Sequence, residues 1–127
     1  MSNSNRLLIA AGALALFLAT TLGAYGTHGV QGMVDAQRWN AYQVAVEYQF
    51  YHGLGVIAAA MLADRFPQSR WIGASVWLLL LGMIAFSGSI YATTFGAPGG
   101  IGALAPFGGL SMMAGWLSLA FGAVRAK

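Results

Sequence analysis

The stretch QVAVEYQFYH, residues 43–52, gathers the densest set of side chains in this protein that could do chemistry. Glu47 and His52 are suited to exchanging a proton near neutral pH, and Tyr48 and Tyr51 could donate hydrogen bonds beside them. Gln43, Glu47 and Tyr51 recur every fourth residue and so share one stripe of a helix. Tyr48 and His52 form the neighbouring stripe. His28 and Arg38 precede this stretch, and Ser87, Ser89 and Tyr91 follow it in FSGSIY. These ten residues form a candidate polar cluster.

A carboxylate among apolar neighbours needs a partner or a proton. Arg38 and His28 are the expected partners of Glu47. His52 lies five residues from Glu47, about 140° round a helix, so a direct bond between them is awkward. It could be bridged by Tyr48, Tyr51, a serine or water. Two histidines and one glutamate could make a three-ligand metal site, but His28 and His52 are far apart and no His-x3-His pair occurs, so no metal is expected. The absence of cysteine excludes disulfides and thiolate-ligated metals or clusters. GAYGTHG lacks the GK[ST] of a phosphate loop, and no hydrolase elbow or cofactor motif is present. Ser87 and Ser89 are expected to bond back to their own helix rather than act as nucleophiles. The plainest alternative is that these polar groups simply tie helices together.

The elements that carry the cluster follow from composition. The chain has 127 residues, room for one domain, residues 1–127, and is 58% hydrophobic and 7% charged. Its mean hydropathy is +0.68. A soluble domain carries about 25% charged residues, so lipid must solvate most of this chain. Four apolar segments stand out, at residues 7–25, 41–63, 72–91 and 107–124. Each approaches the roughly 20 residues that cross a bilayer as a helix, and the runs do not alternate as barrel strands do. The expected fold is therefore all-α, an integral membrane bundle of four transmembrane helices. The first segment superficially resembles a signal peptide but is expected to remain, because it sets the topology of the other three.

Arg6, Arg65, Arg70, Arg125 and Lys127 fall on one side of such a bundle and only Arg38 on the other. Basic residues favour the cytoplasmic side, so both termini should face the cytoplasm. The net charge of +3 reflects that topology; without a basic surface interleaved with aromatics, no nucleic-acid partner is expected. The outer connections are HGVQGMVDAQRWN and the apolar TTFGAPGGIGALAP, which should lie against the membrane or fold over the bundle. Pro106 suits a first helical turn. Small residues at 11, 15, 19 and 23, at 55, 59 and 63, and at 111, 115, 118 and 122 provide packing stripes. Trp71 and Tyr25, Tyr42 and Tyr91 lie near span ends, whereas Trp77 and Trp116 lie deeper and could face lipid or a partner. On this topology the polar cluster sits in the outer half of the bundle.

Four strings, GAYGTHG, VEYQFYHGL, FSGSIY and APFGG, occur in that order. Their pattern resembles the domain of unknown function 423 family, whose animal members are called transmembrane protein 256, over nearly the whole chain. The matching positions are Gly23, Gly26, His28, Gly29, Tyr48, Gln49, His52, Ser87, Gly88, Ser89, Tyr91, Pro106, Gly108 and Gly109. Tyr25 and Thr27 depart from it, where the family commonly has Phe and a small residue. The resemblance implies a four-helix protein of the bacterial inner (cytoplasmic) membrane and implies no activity or cofactor.

Three functions compete. The first is an accessory, assembly or interaction subunit of a membrane complex, or a homo-oligomer. The second is a binder or carrier of a small ligand, ion or proton through the polar cluster. The third, a membrane enzyme acting on lipid or quinone, lacks a nucleophile or cofactor motif.

Overall fold

Four long helices account for nearly all of the chain, and each begins where a short polar side chain or a proline allows. The computed structural model describes residues 1–127. Helix α1 spans Asn3–Tyr25, and the Ser2 hydroxyl caps it by accepting the Asn5 N–H at 3.1 Å. Helix α2 spans Ala36–Arg65, with Asp35 as cap accepting the Arg38 N–H at 2.8 Å. It stops just before the Phe66–Pro67 pair, where proline disfavours helical backbone in the preceding residue. Helix α3 spans Arg70–Thr94 behind Ser69, whose hydroxyl accepts the Ile72 N–H at 3.3 Å. Gly96, at φ +102°, turns the chain out of α3. A 3-10 turn at Gly99–Ala103 leads into α4, Leu104–Arg125, with Pro106 in its first turn.

The first connection is much shorter than the sequence suggests. Past Tyr25 the backbone continues through a π-helical turn, Gly26–Val30, and a 3-10 turn, Gln31–Met33. Only Val34 and Asp35 separate this path from α2. Arg38, expected in a loop, is therefore a first-turn residue of α2.

The helices pack in chain order, α1 on α2, α2 on α3 and α3 on α4. One apolar core runs through all four, built from Leu8 and Ala15, then Val56, Ala59 and Ala60, then Val76, Leu79, Leu80 and Met83, and finally Met112. Close backbone approach sets these crossings. A Cβ on Gly12 would stand 2.9 Å from the Gly53 carbonyl oxygen, and one on Gly108 would stand 2.5 Å from the Phe86 nitrogen. Small stripes thus replace apolar burial as the means of association, as expected in lipid. Along α4 the Ser111 hydroxyl donates to the Leu78 carbonyl at 2.8 Å, and Ser118 donates to the Trp71 carbonyl at 2.7 Å. Gly115 and Gly122 lie between and beyond them against Leu79 and Ile72.

Three helical stretches are long and apolar enough to cross a membrane, Asn3–Met33, Arg70–Thr94 and Gly99–Arg125. Helix α2 is long enough but more polar, because its N-terminal half carries the cluster. Both chain termini lie at one end of the bundle. There the Ser2 N–H donates to the Asp64 carboxylate at the end of α2, and Arg125 and Lys127 share a recess with Arg65 and Arg70.

Candidate functional site

The face of α2 that enters the bundle is set by Tyr42, Ala45, Gln49, His52, Val56 and Ala59, spaced three and four apart and all buried. Gln43, Glu47 and Tyr51 lie on the opposite side and are exposed. The ten candidate residues therefore separate into distinct places.

The interior set is a line of interhelical bonds. The Gln49 side-chain amide donates to the Ala15 carbonyl of α1 at 2.8 Å, while its Oε1 accepts the Tyr91 hydroxyl of α3 at 2.6 Å. Ser87 donates across to the Ala45 carbonyl of α2 at 2.8 Å, so it does not bond back to its own helix. Ser89 does, to the Phe86 carbonyl at 3.0 Å. Above this line, Tyr42 is buried with its hydroxyl on the Leu22 carbonyl. Its ring meets Trp39 and Tyr91 at centroid distances of 5.7 and 5.5 Å. An apolar surface groove of about 330 Å³ runs between α1 and α3, with Gln49, Ser87 and Tyr91 at its polar end.

His52 is held on both nitrogens. Its Nδ1 lies 2.7 Å from the Tyr48 carbonyl, and Trp116 Nε1 of α4 lies 3.0 Å from its Nε2. An indole nitrogen only donates and a carbonyl only accepts. The ring must therefore be neutral, with its proton on Nδ1 and its Nε2 lone pair facing Trp116. Trp116 reaches this position by crossing Gly55, where a Cβ would come within 2.7 Å of the indole ring. The deep tryptophan thus turns toward a partner within the chain. Every buried side-chain nitrogen and oxygen has a hydrogen-bond partner, so the interior holds no idle acid or base.

The outward set is simpler. The Tyr51 hydroxyl donates to Glu47, one turn away on α2. The Tyr48 ring stacks on Phe86 at 5.0 Å and lies 6.1 Å from that of Tyr51. Beside Glu47 is a recess of about 400 Å³, formed with Gly23, Thr27, Trp39 and Gln43 among others. The expected pairing of Glu47 with Arg38 or His28 is not made. Arg38 and Glu47 are nine residues apart on one continuous helix, about half a revolution round it. Arg38 instead faces a recess with Asp35, Thr93 and Thr94. His28 is exposed in the π-helical turn.

The candidate cluster omitted Gln49, Tyr42 and Trp116, which the structure places at its centre. Gln49 was in plain view, four residues from Ala45 and three from His52 on the small-residue stripe. The more polar stripe, Gln43, Glu47 and Tyr51, faces out, so polarity does not mark the inner face of α2. Trp116 carried no such signal, since its contact with His52 depends on the placing of α4.

A helical chain whose spans meet through small residues, with its polar groups bonded between helices, is a small integral membrane protein. Residues 22–109 match the family described as Protein of unknown function (DUF423), and the chain belongs to that family. Its relatives include a UPF0382 membrane protein of Staphylococcus haemolyticus, 38% identical over 115 residues, which cover 90% of this chain and 92% of that protein. YwdK of Bacillus subtilis, another UPF0382 membrane protein, is 32% identical over 120 residues, 94% of this chain and 98% of that one. The UPF0382 inner membrane protein YgdD of Escherichia coli is 32% identical over 124 residues, 98% of this chain and 94% of that one. No solved structure matches the chain.

Proposed function

We propose that this is a four-span protein of the bacterial inner membrane, with both termini cytoplasmic, that works by association. It serves as an accessory, assembly or interaction subunit of a larger membrane complex, or as a homo-oligomer. The observation that carries this reading is the outward stripe of α2. At 30 residues α2 is about 45 Å long, against about 30 Å of hydrocarbon. Centred in the bilayer, Glu47 then lies roughly 9 Å below the outer boundary. There Gln43, Glu47 and Tyr51 face away from their own bundle, where lipid offers them no hydrogen bonds. The interior polar groups are satisfied within the chain; the stripe has only its Tyr51–Glu47 bond, which leaves Gln43 and the rest of the carboxylate to a second protein surface.

The recess beside Glu47 favours a second reading, in which a small cationic ligand or a proton occupies it. Site-specific photocrosslinking in native membranes separates the two. A photoreactive residue at position 43 is expected to give a discrete protein adduct that Glu47→Leu abolishes. The same residue at position 117, exposed on α4, is expected to give lipid adducts alone. Lipid adducts alone at both positions would refute association through this face.

A further inference from the structure

The end of the bundle that bears both termini carries a second feature, unconnected with the α2 stripe. Arg65 at the end of α2, Arg70 at the start of α3, and Arg125 and Lys127 at the end of the chain line one recess of about 400 Å³ with Gln68, Ser69 and Trp71. Four of the six basic residues of the chain thus meet in one place. None of the three acidic residues lines it. Asp35 caps the far end of α2, and Glu47 bonds Tyr51. Asp64, the nearest in sequence, is turned toward α1, where the Asn5 amide and the Ser2 N–H hold its carboxyl below the usual carboxylate range.

We propose that this recess binds the phosphate of an anionic phospholipid headgroup. Two arginines are braced for it by aromatic faces, Arg65 at 5.2 Å from the Phe66 ring centre and Arg125 at 5.1 Å from that of Phe121. Arg forks suit phosphate oxygens, and the start of α3 adds the favourable end of a helix dipole. Position selects a lipid over a soluble anion. Arg70 comes two residues before the apolar run that opens at Ile72, and Arg125 directly follows Val124. The site therefore lies at headgroup level. Trp71, Phe121 and Val124 are exposed just below it and offer an apolar wall to acyl chains. Unpaired basic recesses between helix ends at this level are suited to anionic headgroups.

Native mass spectrometry of the full chain in detergent, titrated with phosphatidylglycerol and with phosphatidylcholine, tests this directly. Phosphatidylglycerol is expected to be retained in preference. The double variant Arg70→Gln, Arg125→Gln should weaken that binding on the order of 30-fold, at about fivefold per charge removed. Arg6→Gln, at the same end but outside the recess, should bind as the unaltered chain does, and Arg70→Lys with Arg125→Lys should retain most of the affinity. If the glutamine pair loses helicity, Lys127→Gln at the chain end replaces it, with about a fivefold loss expected. Equal retention of the two lipids, or equal loss in Arg6→Gln and the recess variants, would overturn the proposal. Displacement of phosphatidylglycerol by millimolar inorganic phosphate or glycerol phosphate would assign the recess to a soluble anion and overturn the lipid assignment.

Discussion

Gln49 shows what a buried polar side chain does in this protein. It bonds α1 through the Ala15 carbonyl and α3 through Tyr91, so a single residue of α2 holds both its neighbours. Such bonds between membrane helices average about 0.6 kcal/mol, with a maximum near 1.7. Gln49→Leu is expected to cost about 1–2 kcal/mol, because it also leaves the Tyr91 hydroxyl without its acceptor. Adding Tyr91→Phe should restore part of that loss, a non-additivity readable in detergent unfolding titrations as the coupling of a contacting pair. Strict additivity of the two changes would mean that the bond contributes nothing. His52 belongs to the same class. With both nitrogens engaged it is a strut between α2 and α4, and the pairing of Trp116 with its Nε2 requires the neutral ring.

At the scale of elements, α3 and α4 form the most extensive pairing, and glycines set it. A Cβ at Gly108 would meet backbone of α3 at distances real side chains do not adopt, whereas one at Gly109 meets nothing within 4 Å. Gly108→Val is therefore expected to destabilise the protein by about 1–3 kcal/mol, as overpacking does. Gly109→Ala should leave the unfolding midpoint at or above that of the unaltered chain. Equal effects would refute the crossing. This stripe was legible in the sequence because Ser111, Gly115, Ser118 and Gly122 stand among large apolar residues, leaving one face on which backbones can approach. Helix α2 was harder to orient. In water, polarity tells which face is outside; in lipid it does not, and the 42–45–49–52 face and the 43–47–51 face both carry polar groups. The small residues were the better guide. The extension of α1 to Met33 was hidden for another reason. Gly26, Gly29 and Gly32 read as loop, yet Gly26 is buried close to the Tyr42 ring and stays in helical geometry.

For the whole molecule, the all-helical architecture and its membrane setting could be read from composition, because the apolar runs are continuous and charge is scarce. Helix α2 is the fourth expected span and the least apolar, since only the other three helices are apolar enough by length and hydropathy, so its crossing is the part of the topology to test. A chain with no cysteine suits single-cysteine labelling. In the four-span arrangement, cysteines placed at Gln31 and at Gly99 should react with a membrane-impermeant maleimide in intact cells. A cysteine at Gln68 should react only after permeabilisation. Labelling of positions 31 and 68 from the same side would mean that α2 does not span.

The central claim, that the outward Glu47–Tyr51 stripe is covered by another protein surface, is tested most directly by native mass spectrometry of the chain drawn gently from its own membranes. The account predicts a mass at a multiple of the chain, or the chain with a second subunit, and a return to the single chain in Glu47→Leu. A bare single chain from native membranes, unchanged by that substitution, would contradict it.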